Sequence, residues 1–176
     1  MKKIFLNPGH APNGIPDPGA INMFVGVKEA NITKAIADQV NNLLIGAGYD
    51  VCVYQSDSLN DICRKANGLD VDYFVSIHCN ASWNGQGTGT EVFCYEFFTE
   101  AAELAGSIQN QIVHKLDMYD RGVKEASYQV LRCTNMPAVL IECGFIDNDD
   151  DVHKLINKQD VFAEAIYKGI INYIEG

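Results

Sequence analysis

Basic residues are scarce in this chain: 13 Lys and Arg stand against 23 Asp and Glu, for a formal net charge of −10. Phosphate contacts need clustered cations, so the balance excludes nucleic acid as the main partner. The same deficit gives no attraction toward an anionic membrane surface or an anionic polymer. Long apolar runs are missing as well. Nothing approaches the roughly 18 residues of a membrane span, so no membrane insertion is expected. The opening MKKIFLNPGH has two lysines like a leader, but its apolar part is only Ile4, Phe5 and Leu6. A secretory core needs about 7–15 residues, so this stretch reads as a first strand. No two of the six cysteines are spaced as CxxC, which excludes a structural zinc knuckle. Cys52 in YDVCVY and Cys94 in TEVFCY sit inside apolar runs, where a free thiol behaves as a small hydrophobe. Reduced, buried cysteines are expected. Repeats, linkers and low-complexity tracts are also absent.

What is present is ordinary for a folded domain. Hydrophobic residues make up 47% and charged residues 20% of the chain, which excludes disorder. Its 176 residues suit one domain spanning positions 1–176. Short β-branched or aromatic runs at 3–7, 49–54, 71–78, 89–95, 128–132 and 138–142 read as strands. Several are apolar throughout, as strands covered on both faces are. Helical spacing lies between them. Ile32, Ile36, Val40, Leu43 and Leu44 recur every three or four residues before GAGY stops the run. Ser58 with Asp61 marks a second helix start, and further helices are expected over 99–117, 151–157 and 160–174. The alternation predicts an α/β fold: a twisted, mostly parallel six-stranded sheet with helices on both faces. The run at 88–95, entered through a Gly-rich loop, is the candidate antiparallel member.

In open α/β sheets, sites form outside the carboxyl ends of the strands. Four groups stand at such places. His10 lies in the Gly- and Pro-rich loop after the first strand, His78 ends the third run, Glu142 ends PAVLIE, and Glu29 opens the first long helix. Each has a plain alternative. A histidine caps turns, and a glutamate in the first helical turn favours the macrodipole. Glu142 resists this treatment, because a carboxylate closing an apolar strand is costly unless solvated, paired or near a metal. Two histidines and one glutamate with an open fourth position form a known catalytic zinc set, which needs one more carboxylate as base. The set here has that size. His114 and His153 read as surface residues.

Separate motifs match one family in order. NPGH and DPGA, then GVKEANITKAIADQV, then DYFVSIHCNAS, then RGVK and YQVLRCTNMPAVLIECGFIDN resemble the zinc-dependent N-acetylmuramoyl-L-alanine amidases of the amidase-3 type. These occur in bacterial cell-wall hydrolases and phage endolysins, and the resemblance covers the chain almost end to end. It implies a zinc amidase catalytic domain with one zinc ion per chain, His10, Glu29 and His78 as ligands, and Glu142 as the catalytic carboxylate. The chain departs from the family where two glycines often follow the first histidine. Ala11 and Pro12 stand there, and NGIP lengthens the loop. Cys79 and Cys143 adjoin site residues, but strand neighbours point to opposite faces, so neither is expected to reach the metal.

The implied partner is peptidoglycan, and the implied reaction cuts the amide between N-acetylmuramic acid and L-alanine of the stem peptide. Zinc would lower the pKa of its water toward about 7 and polarise the carbonyl. Glu142 would take the proton and hand it to the departing nitrogen. Arg121 is a candidate for holding a substrate carboxylate or carbonyl, and Asn80 for orienting ligands or substrate. A zinc peptidase or carboxypeptidase is the alternative among enzymes. An inactive wall-binding relative would lack a ligand or the base, whereas all four groups are present. With the cell wall as target and no leader in the sequence, a phage lysis enzyme, a fragment of a longer protein or export by another route is expected.

Overall fold

Two elements, the sheet's central strands and the helices that cover them, decide where the site lies. The computed structural model describes residues 2–82 and 84–176. Its strands are β1 (Lys3–Pro8), β2 (Ile21–Asn22), β3 (Val27–Lys28), β4 (Asp50–Val53), β5 (Tyr73–Asn80), β6 (Thr90–Cys94), β7 (Asp120–Glu125) and β8 (Ala138–Phe145). Its helices are α1 (Glu29–Gly46), α2 (Leu59–Gly68), α3 (Glu100–Leu116), α4 (Gln129–Arg132), α5 (Asp149–Asn157) and α6 (Gln159–Glu175), with a short 3-10 turn at Pro12–Gly14. The main sheet has six strands in the order β4-β1-β5-β8-β6-β7. Its first four run parallel. β6 runs antiparallel to β8, as the Gly-rich entry suggests, and β7 lies parallel to β6.

Period-two alternation sends the two faces of β5 and β8 to different cores. Val75, Ile77 and Cys79 of β5, with Val139, Ile141 and Cys143 of β8, pack against Ile36, Val40, Ile108, Ile112, Phe162 and Ile166 of α1, α3 and α6. The other face, with Phe74 and Leu140, packs against Ile62 and Val130 of the short helices α2 and α4. That thinner cover leaves the carboxyl ends of β5 and β8 open. Ser58 caps α2 by accepting from Asp61 N at 3.3 Å, as its sequence position suggests.

One expected strand is corrected. Residues 128–132 form the single helical turn α4, and the sixth strand is β7 at Asp120–Glu125. Val130 and Leu131 are adjacent and both buried beneath the sheet. A strand would send one of them to solvent, so the turn wins. β7 carries no apolar strand signal because it is a polar edge strand, never covered on both faces. The β2–β3 hairpin was likewise hidden inside the first long loop. All six cysteines are free; Cys63, Cys79, Cys94 and Cys143 are buried, Cys52 is half-buried, and Cys133 is exposed.

Candidate metal centre

The loop after β1 and the start of α1 fold back on the end of β5. Gly9 N donates to Ile77 O, which ties the loop to β5. Two glycines make the approach possible. A Cβ on Gly9 would overlap the His78 ring, and one on Gly19, at φ 67, would meet Glu29 Oε2 and the His10 ring. His10 itself has φ 65, a region costly for a side-chain residue and held here by its contacts.

His10, Glu29 and His78 come together. His10 Nε2 lies 2.9 Å from Glu29 Oε2, and His78 Nδ1 lies 3.0 Å from Glu29 Oε1. The two imidazole rings are 5.1 Å apart, edge to face. One ligand atom from each residue falls within 4.8 Å of the others. Glu29 is buried, and its remaining capacity is met by Cys79 N at 2.9 Å and Ala20 N at 2.9 Å. Burial opposes its charge, but the two histidines outweigh that and hold its carboxyl far below the usual range. Burial also pulls the His10 imidazole down. Hydrogen bonds and charge from Glu29 and Asp17 reverse the effect and raise it to about 9. Asp17 Oδ2 accepts from His10 Nδ1 at 2.8 Å, which leaves Nε2 for the cluster. Asp17, in the DPGA stretch, has no period or strand end that marks this role in the sequence; a carboxylate near a ligand histidine is the usual orienting partner.

Glu142 stands beside this cluster, in register with His78 on the neighbouring strand. It lines the same cavity, of about 680 Å3, together with His10, Glu29, His78 and Asn80. Glu142 Oε2 is out of reach of solvent and has no hydrogen-bond partner among the described residues. Burial, then the charges of Glu29 and Glu91, push its carboxyl well above the ordinary 4.5. Leu59, Ile62, Val130 and Leu140 form an apolar arm of the cavity, with Tyr128 at its edge. Arg121 is not among the residues that line the cavity; it lies on β7, two strands beyond Glu142, paired with Glu91. Cys79 and Cys143 side chains belong to the opposite core. His114 and His153 are exposed.

Two imidazoles and a carboxylate fit a borderline divalent ion such as zinc, and an orphaned buried carboxyl oxygen faces the same space. At the carboxyl end of an α/β sheet, this arrangement is of the kind that enzymes of the hydrolase class use. The family model for N-acetylmuramoyl-L-alanine amidase, amidase-3, matches residues 4–172, and the chain belongs to that family. The sporulation-specific N-acetylmuramoyl-L-alanine amidase of Bacillus subtilis (strain 168) is 36% identical over 182 residues, covering 99% of this chain and 68% of that protein. The endolysin of Bacillus phage SPP1 is 36% identical over 182 residues, covering 96% of this chain and 63% of its own length. Among solved structures, the N-acetylmuramoyl-L-alanine amidase from Clostridium difficile 630 matches with TM-score 0.89 and 36% identity, covering 99% of this chain and 97% of that one.

Proposed function

We propose that this amidase-family chain acts at the bacterial cell wall on peptidoglycan, as a single catalytic domain. It cuts the amide between the lactyl carbonyl of N-acetylmuramic acid and L-alanine of the stem peptide. His10, Glu29 and His78 hold one zinc ion, and Glu142 is the general base. The observation that carries this reading is the His10–Glu29–His78 cluster opening on a cavity beside an unpartnered carboxyl oxygen. When bound, the ion supplies Lewis acidity toward water and toward the scissile carbonyl.

The chain's own groups do the rest. Asp17 fixes the tautomer and orientation of His10 through the Nδ1 bond. The rigid end of β5 fixes His78, and Cys79 N fixes Glu29. Glu142 takes a proton from the attacking water and returns it to the leaving nitrogen of L-alanine. Its raised proton affinity suits a group that must accept a proton and release it again. Asn80, at the cavity wall, orients substrate. The apolar arm from Leu59 to Leu140 excludes water around the reacting atoms.

The test is digestion of purified peptidoglycan, with the new ends identified by mass spectrometry. Stem peptides with a free L-alanine amino end and intact glycan strands are expected. New reducing sugars would overturn the reading in favour of a glycosidase. Loss of only the terminal D-alanine would overturn it in favour of a carboxypeptidase.

A further inference from the structure

Glu91 is a buried charge that the mechanism above does not use. It stands on β6 directly across from Glu142, in the row His78, Glu142, Glu91 that crosses three strands. Its side chain is 5% exposed. Oε1 accepts from the Asn80 amide at 2.8 Å. Oε2 accepts from Arg121 Nε at 2.8 Å and from Lys124 Nζ. One carboxylate thus holds two cations. A buried carboxylate needs one partner for neutrality, so the cluster keeps a net positive charge in a chain of charge −10.

Both cations reach Glu91 because of a bulge. The β6–β7 register shifts between Thr90 and Val92, beside Gly122 at φ 80. In a regular strand, residues three apart face opposite ways. The extra residue brings Arg121 and Lys124 to one side. Their side chains are 30% and 40% exposed. Lys124 keeps donors beyond the one spent on Glu91. Arg121 spends a second donor on Thr88 O at 3.3 Å and lays its guanidinium over the Phe145 ring at 4.9 Å, which sets the plane of the remaining fork. Asn80, on the other oxygen of Glu91, lines the catalytic cavity. Cation cluster and cavity therefore share a wall.

Neighbouring strands lie about 4.8 Å apart, so β7 sits two spacings, roughly 10 Å, from the strand that carries Glu142. An extended peptide covers that in about three residues. We propose that Arg121 and Lys124, pinned by Glu91, form a subsite for the free α-carboxylate of the second stem-peptide residue, which lies within that reach of the cut amide. This deepens the amidase reading and rests on it.

The zinc-loaded protein is assayed on solubilised glycan strands whose second stem residue is either free D-glutamate or its α-amide, isoglutamine. Wild type is expected to show about 10-fold higher kcat/KM on the free acid, the low end for charge-assisted bonds in a half-open site. Arg121→Lys and Lys124→Gln each leave Glu91 a cation, so melting midpoints should hold. The acid-to-amide ratio should fall in Arg121→Lys, which keeps the charge but loses the planar fork, and collapse toward one in Lys124→Gln, which removes the surplus charge. Wild type without a preference, or variants keeping the wild-type ratio, would overturn the subsite alone. Wild type inert on both substrates would overturn the amidase reading and the subsite with it.

Discussion

Replacing Glu142 by Gln keeps the side chain's size and removes its ability to accept a proton. If Glu142 is the base, turnover should fall by roughly 10²–10⁴-fold, the usual scale of general acid–base help, with the metal content unchanged. The structure adds a second, opposite effect. Glu142 Oε2 is buried without a partner, and burial with the charges of Glu29 and Glu91 raises its carboxyl well above 4.5. Below pH 4.5 the acid is protonated in folded and unfolded chains alike, and it costs nothing. As pH rises, the unfolded chain releases this proton freely while the folded chain holds it, so folding weakens. Gln does not titrate. The metal-free variant should therefore match wild type near pH 4 and exceed it at pH 8. Gln buries a polar atom at the same place, so the gap comes only from the cost of deprotonation. That cost is about 1.4 kcal/mol for each tenfold by which folding raises the carboxyl's proton affinity. At about 2–4 °C per kcal/mol for a chain of this size, the variant should melt roughly 3–6 °C higher at pH 8 for each such tenfold. Zinc loading should shrink the gap, because a nearby cation favours the carboxylate. Thermal melts with and without chelator at the two pH values measure it. Equal midpoints for wild type and variant in chelator at pH 8 would refute the reasoning, as would full activity of Glu142→Gln.

Two further outcomes follow from the same cluster. Asp17→Asn keeps the shape at His10 Nδ1 but loses the charge-assisted bond, so zinc affinity should fall about 10–100-fold; titration with a competing chelator reads this, and an unchanged affinity contradicts the orienting role. In the metal-free protein the His10 imidazolium is held by Glu29 and Asp17 up to about 9. That stability is complete below the ordinary 6.5 and is lost as pH climbs through about 9. Melting midpoints of chelated Glu142→Gln protein should thus drop between pH 7 and 10 with one proton released, and a flat profile would count against the pairing.

Much of the site could be read from the chain itself. His78 and Glu142 stand where apolar strand runs end, Glu29 where a helical period begins, and His10 in a loop too rich in Gly and Pro to be anything else. Each of these is a local signal: a period changes, and a polar group marks the change. The same local logic failed at 128–132, where two adjacent apolar residues suit either one helical turn or a short strand. Only burial of both Val130 and Leu131 settles it. It failed again at β7, whose polar residues carry no apolar pattern because an edge strand has no second face to cover.

What the sequence determined alone was the set of elements and the kinds of group at their ends. The tertiary structure decided which of those groups meet. Strand order puts β8 between β5 and β6, and register sets His78, Glu142 and Glu91 in one row although 13 and 51 residues part Glu91 from the other two. Asp17 reaches His10 only after its loop closes, and Arg121 and Lys124 share a carboxylate only through a bulge. Register and closure are set by packing between segments distant in the chain, and no local period carries them.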